Sequence, residues 1–158
     1  MNDPSTPPID LFHTSACLAT AVRRASRVLS AAYDRALAGA GLTSSQFIVL
    51  KRIAGSGPVS IKTLATAVGI DRTTLSRTVT HLSARGLIAE SSGGDRRVKW
   101  LSLTPKGRAA VERAEQCWLE IQNATVSGFG PERAAHMLAA LTALAGAADA
   151  GARGQAAP

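Results

Sequence analysis

The stretch from Ser60 to Gly86 constrains this chain more than any other. Ser60 is a residue type that caps a helix by accepting a hydrogen bond from a free backbone N–H. The helix behind it, residues 61–68, turns Leu64, Ala65 and Val68 inward. Gly69 breaks that helix, and glycine suits the positive φ that a tight turn between helices often needs. Asp71 caps a further helix that runs to about Arg85, with Leu75, Val79 and Leu82 on one face. Gly86 terminates it. Ala65 is small enough to let two helices cross steeply. The pair therefore reads as a helix–turn–helix, and its second helix turns Arg72, Thr73, Ser76, Arg77 and Thr80 outward. Thr74 stands near the exposed start of that helix.

Two short helices cannot bury enough surface alone, so the flanking elements matter. A stripe of Leu18, Val22, Ala25, Leu29 and Ala32 marks a long helix between Leu11 and Ala40. Gly39 and Gly41 end it. Thr43 or Ser44 can cap a second helix carrying Phe47, Leu50 and Ile53, stopped by Gly55, Gly57 and Pro58. After Gly86, Leu87 to Glu90 reads as a short strand. Residues 91–95 form a turn cluster, and Val98, Trp100, Leu101 and Leu103 belong to a returning strand. Pro105 opens a helix with the stripe Val111, Ala114, Trp118 and Ile121. Residues 127–131 read as a connection. A last helix carries Met137, Leu138, Leu141 and Leu144, and the Ala/Gly-rich stretch from Gly146 is expected to fray. The fold class is thus mainly α with a small β-hairpin.

The charge is unevenly placed. The whole chain of 158 residues carries +7. Residues 43–104 hold nine Lys and Arg against three Asp and Glu, which leaves +6 there. A surplus confined to one subdomain suggests a surface for a polyanion rather than a solubility device. The residue types agree. Arginine makes bidentate bonds to guanine, threonine adds a methyl for thymine, and serine is small and adaptable. A helix N-terminus favours phosphate. The Gly93, Gly94, Asp95, Arg96, Arg97 tip is too glycine-rich to bury, and its arginines suit a narrow minor groove. Duplex DNA is the partner these features point to. A solvated helix face and a simple polar turn are the plainer readings of each feature taken separately.

Other classes find less support. No phosphate-binding glycine loop, nucleophile elbow or paired carboxylates near a histidine is present, so an enzyme is not expected. His13, His81 and His136 are scattered without ligand spacing, so neither a metal nor another cofactor is expected. Cys17 and Cys117 lie far apart, no leader pattern opens the chain, and no apolar run approaches a membrane span; a reduced cytoplasmic protein is the expectation. A winged-helix module that binds protein remains the alternative, since a fold does not dictate function.

The runs DRTTLSR at 71–77, LSARGLI at 82–88, DRR at 95–97 and LSLTPKG at 101–107 resemble the MarR family of multiple-antibiotic-resistance type regulators. Tyr33, Asp34 and the run GLTSSQF at 41–47 fit as well. The resemblance covers about residues 11–148. It implies a winged helix–turn–helix homodimer, with a flexible arm (1–10), a dimerisation helix (11–42), the DNA-binding lobe (43–104), C-terminal dimerisation helices (105–148) and a flexible tail (149–158). It implies that Thr73, Thr74, Ser76 and Arg77 lie in the major groove, with Arg72 on the same outward face. Arg97 would enter the minor groove beside Asp95 and Arg96, while Ser60, Lys62 and Lys99 would contact phosphates. Repression is the commoner mode of the family, and its members commonly answer to small aromatic or phenolic molecules or to oxidants.

The signal leaves fewer marks in the sequence. Arg23, Arg24 and Arg27 could offer a cation to an aromatic carboxylate, or form a solvated face or inter-subunit salt bridges. His13, near the start of the same helix, is a ligand candidate or a structural histidine. Cys17 is a candidate oxidant sensor, although it falls on an apolar stretch that dimerisation is expected to bury, and buried thiols are inert. Cys117 beside Trp118 reads as packing.

Overall fold

The computed structural model describes residues 17–92 and 99–155. The chain divides into two compact units, the first ending at Cys117 and the second starting at Trp118.

The first unit opens with helix α1 (Leu18–Leu37), a single 3-10 turn (Ala38–Ala40) and helix α2 (Ser44–Ser56). Strand β1 (Val59–Ser60), helix α3 (Ile61–Val68) and helix α4 (Arg72–Ala84) follow, then strands β2 (Ile88–Ser92) and β3 (Lys99–Leu103). Helix α5 (Pro105–Phe129) runs from this unit into the second, which ends with helix α6 (Pro131–Gln155).

Local chemistry sets the helix starts. Thr43 caps α2 in a reciprocal box: its hydroxyl accepts from Gln46 N–H while the Gln46 side chain accepts from Thr43 N–H. Asp34, near the end of α1, accepts the Ser44 N–H at 2.6 Å and satisfies a further free donor of α2. Ser60 accepts from Thr63 N–H and caps α3. Asp71 accepts from both Thr73 and Thr74 N–H and caps α4. Gly69, at φ 66°, closes α3 in the left-handed region, as a tight turn requires.

The core sits beneath α4 and the sheet. Leu50, Leu64, Leu75, Leu82 and Leu101 are completely buried, and Val79, Leu87 and Ile88 nearly so. Each such side chain contributes about 1.5–3 kcal/mol of transfer free energy. Of the small helix–turn–helix contacts expected, Leu64 is fully buried while Ala65 and Val68 are half-buried.

The sheet is antiparallel in the order β1-β3-β2. Val59 pairs Leu101 and Ser60 pairs Trp100 on one side, while Ile88 pairs Leu103 and Ser92 pairs Lys99 on the other. The expected hairpin is therefore the larger part of a three-stranded sheet. Ser91 and Ser92, expected in the turn, continue β2, because β3 provides ladder partners for both.

Three helix ends also differ from expectation. Gly55 lies inside α2, which continues to Ser56. The connection expected over residues 127–131 shrinks to Gly130, at φ 97°, between Phe129 and Pro131. Helix α6 passes through Gly146 to Gln155, because alanines on both sides sustain it. Among the described residues no helix is long and apolar enough to cross a membrane.

Candidate nucleic-acid interface

Helix α4 is built to show one face. Leu75, Val79 and Leu82 take the buried side, so Thr73, Arg77 and Thr80 are left exposed and Ser76 half-exposed, and Arg72 is exposed as the first residue of the helix. Thr74 stands exposed in the first turn. The cap beneath it is charged: hydrogen bonds from Thr74, its hydroxyl first and then its N–H, hold the Asp71 carboxyl below its usual range. A carboxylate there offsets part of the helix-end positive field, while the side chains beyond it stay free.

The hydroxyls on this face are partly committed. Ser76 Oγ donates to Arg72 O at 2.8 Å, and Thr80 Oγ1 donates to Ser76 O at 2.9 Å. Their oxygens retain acceptor lone pairs, the capacity that adenine or cytosine amino groups require.

Lys62 is exposed on α3, next to the Ser60 cap. The Ser60 hydroxyl is engaged with Thr63, at 3.1 Å to its N–H and 2.9 Å to its hydroxyl. Lys62, Arg72 and Arg77 have no side-chain hydrogen bond or ion pair among the described residues.

Four other described cations of residues 43–104 are engaged. Lys51 pairs with Glu115 of α5. Arg52 donates to Ala67 O at 3.0 Å at the end of α3. Arg85 donates to Gly41 O at 2.8 Å. Lys99, expected on phosphate, lies 2.8 Å from Glu90, which also accepts from Ser83 Oγ at 3.2 Å. The Lys99 hydrogen bond is the main reason the Glu90 carboxyl lies below its usual range. Asp95, Arg96 and Arg97 lie outside the described residues, as does His13.

At the base of the hairpin, α5 is clamped to the strand. Thr104 Oγ1 donates to Gly86 O at 2.7 Å and accepts Gly107 N–H at 3.0 Å. Lys106 Nζ donates to Arg85 O at 2.8 Å. Sequence reasoning did not single out Arg85, Glu90 or Thr104, whose partners are distant in the chain.

The described ligand and redox candidates belong to α1 and its N-cap. Arg23, Arg24 and Arg27 are exposed on α1. Cys17 is exposed within the single chain and occupies the N-cap position of α1. Hydrogen bonds from Thr20, side chain first, hold its thiol below the ordinary value, with a smaller contribution from the charge of Arg23. Cys117 is half-buried. Among the described residues no three His, Cys, Asp or Glu side chains come together as a metal site.

A helix–turn–helix with an exposed cationic second helix, followed by an antiparallel hairpin, defines a winged helix–turn–helix protein. Residues 40–98 match the sequence profile of the MarR family. The transcriptional regulator MosR of M. tuberculosis, solved in complex with DNA, is 38% identical, with 84% of this chain and 98% of that one covered and a TM-score of 0.75. BpsR of Bordetella bronchiseptica, solved in a study of how 6-hydroxynicotinic acid regulates its DNA binding, is 30% identical; coverage is 85% and 96%, and the TM-score is 0.76. The transcriptional repressor NicR of Pseudomonas putida is 28% identical over 129 residues, 80% of this chain and 82% of that protein. A regulatory protein for the hcr operon of Thauera aromatica is 36% identical over 77 residues, 48% of this chain, and there the chain spans only 46% of the relative's length. The chain belongs to the MarR family of transcriptional regulators.

Proposed function

We propose that this chain is a cytoplasmic, homodimeric regulator that binds duplex DNA in a sequence-specific manner. One observation carries the reading: Lys62, Arg72 and Arg77, on the two helices of the helix–turn–helix, are exposed and unpaired among the described residues. Arg72, Thr73, Thr74, Ser76 and Arg77 enter the major groove. Ser60 and Lys62 meet phosphate, and Arg96 and Arg97 beside Asp95 reach the minor groove, with Lys99 at the flank. The DNA complex of MosR, at 38% identity, supports the same use of the fold here.

Dimerisation is supported by apolar side chains that one chain leaves uncovered. On α1 these include Leu18, Val22 and Leu29, and on α6 Met137, Leu138 and Leu141. A two-fold dimer reads a pseudo-palindrome with half-sites about one helical turn, ~10 bp, apart. Repression is supported by the likeness to NicR, and release by a small aromatic or phenolic acid by the likeness to BpsR. Arg23, Arg24 and Arg27 are the cations on α1 that would meet its carboxylate, together with His13. A second signal, oxidation at Cys17, is favoured by Thr20, which lowers the pKa of that thiol and raises its thiolate fraction, and it requires that the dimer leave the start of α1 open.

The test is fluorescence anisotropy with duplex from upstream of the chain's own gene against scrambled duplex, at two salt concentrations. Tight, salt-sensitive binding that prefers the upstream duplex is expected. Absence of binding at low salt overturns the DNA reading in favour of a protein-binding module.

A further inference from the structure

We propose that Arg85 is the positioning residue that fixes the pose of α4 against the corner between α1 and α2, and so sets the spacing of DNA half-sites that the dimer accepts. The inference rests on the DNA-binding reading above.

Arg85 follows the last residue of α4 and is half-buried. Its guanidinium donates to Gly41 O at 2.8 Å and to Gln46 Oε1 at 3.4 Å. The same Gln46 oxygen accepts Thr43 N–H at 3.2 Å within the α2 capping box. That corner is held from its other side by Asp34 of α1, through Ser44 N–H. The Arg85 carbonyl is taken by Lys106 of α5. One residue therefore joins the loop between α1 and α2, the start of α2, the end of α4 and the start of α5.

The apolar contact beneath α4 cannot do this alone. Leu75, Val79 and Leu82 hold the helix down, but apolar contact is non-directional and resists small rotations weakly. Directional bonds at one end fix the angle. Helix α4 has 13 residues and is about 20 Å long at ~1.5 Å per residue. A pivot of about 5° at its Arg85 end would move its first turn by about 1.7 Å. Productive geometry at a recognition site tolerates only about 0.5 Å.

The corner that Arg85 grips follows α1 and is tied to it through Asp34 and Ser44 N–H, and α1 is the helix whose uncovered apolar face meets the second copy. Arg85 thus refers each recognition helix to the dimer's own frame. A guanidinium suits this task because its planar fork reaches two acceptors on separate segments, whereas an ammonium is a point donor.

The experiment uses the full chain and a duplex that the wild-type protein selects from a randomised pool, together with the same duplex carrying one base pair more or fewer between half-sites. Arg85→Gln is expected to lower affinity for the selected duplex by about tenfold and to bring the ratio between correct and altered spacing close to one. Binding to scrambled duplex stays near wild type, because the phosphate contacts remain. Arg85→Lys keeps the charge and is expected to lose spacing discrimination as well. Both variants are expected to keep the dimer mass in sedimentation and the helical circular dichroism of the wild type. A variant that retains the wild-type spacing ratio, whatever its stability, overturns this inference alone. A wild-type chain that selects no duplex overturns the DNA reading and this inference with it.

Discussion

Gly107 occupies the first turn of α5, directly against the backbone of Leu87. A Cβ at this position would lie 2.1 Å from the Leu87 carbonyl oxygen and 3.0 Å from its carbon. The obstacle is backbone, which cannot swing aside as a side chain tip can. That oxygen also accepts from Thr104 N–H at 3.2 Å and from Thr104 Oγ1 at 3.3 Å, so displacing it loosens the clamp at the base of the hairpin. Overpacking costs about 1–3 kcal/mol, and the weakened hydrogen bonds about 1 kcal/mol more. The better helix propensity of alanine offsets about 1 kcal/mol. Gly107→Ala should therefore destabilise the fold by about 1–3 kcal/mol. Gly55 is the matched control: it also lies in a helix, but a Cβ there meets nothing within 4 Å. Gly55→Ala should leave stability unchanged or raise it by up to about 1 kcal/mol. Urea unfolding followed by circular dichroism, at one fixed protein concentration because dimerisation couples to stability, measures both. A Gly107→Ala midpoint equal to or above that of the wild type would refute the close-approach argument.

Other substitutions separate the roles on the interface. Arg77→Ala should cost ~1–3 kcal/mol of binding and relax preference at particular base pairs, whereas Arg97→Ala should weaken all sequences and flatten the salt dependence by about one per half-site; anisotropy over a panel of duplexes distinguishes the two. Glu90→Gln releases Lys99 and removes a negative charge beside the DNA, so affinity should rise. Exposed ion pairs are worth roughly 0–1 kcal/mol, which limits the gain to about fivefold; a loss of affinity would show that Glu90 instead orients Lys99 toward phosphate. Asp71 and Glu90 both have carboxyl pKa values held below the ordinary range, by Thr74 and by Lys99 respectively. Their contribution to stability is present above the unfolded carboxylate values of about 4 and is lost as pH falls through the lower folded values. Asp71→Asn, which can still cap α4, should therefore lose less stability between pH ~5 and ~2 than the wild type in urea titrations, and an unchanged acid slope would count against the assignment.

What could be read in the sequence was local. Ser60 and Asp71 announce their helices because a cap bonds two or three residues ahead. Gly69 announces its turn through φ alone. The outward face of α4 follows from the spacing of Leu75, Val79 and Leu82. The missed features depend on partners elsewhere. Strand β1 is two residues long and shows no period; it exists because Trp100 and Leu101 offer it a ladder. Ser91 and Ser92 look like turn residues but lie opposite Trp100 and Lys99. Glycine in LTPKG looks like punctuation, yet Gly107 is within a helix, and its reason is Leu87, twenty positions earlier.

The charge shows the same division and yields a number that can be tested. Composition offers nine cations in residues 43–104. If every one met a phosphate, a dimer would release about eighteen counterions, and log K would fall with log salt at a slope near −16, taking ~0.9 per contact. The structure commits four of the nine to the fold: Lys51 to Glu115, Arg52 to Ala67 O, Arg85 to Gly41 O and Lys99 to Glu90. Lys62, Arg72 and Arg77 remain free among the described residues, and Arg96 and Arg97 complete the expected set at five per chain. Ten contacts per dimer set a ceiling near −9. If Arg77 is spent on a base edge, eight remain, for a slope near −7. Long-range attraction still draws on the whole net charge, so association can be fast even though the equilibrium slope is shallow. Equilibrium titration across a salt series decides between these values. A slope steeper than about −9 would mean that DNA pulls Lys51, Arg52, Arg85 or Lys99 out of its intramolecular bond. Arg85→Gln would then flatten the slope, which a residue acting only through the pose of α4 would not do.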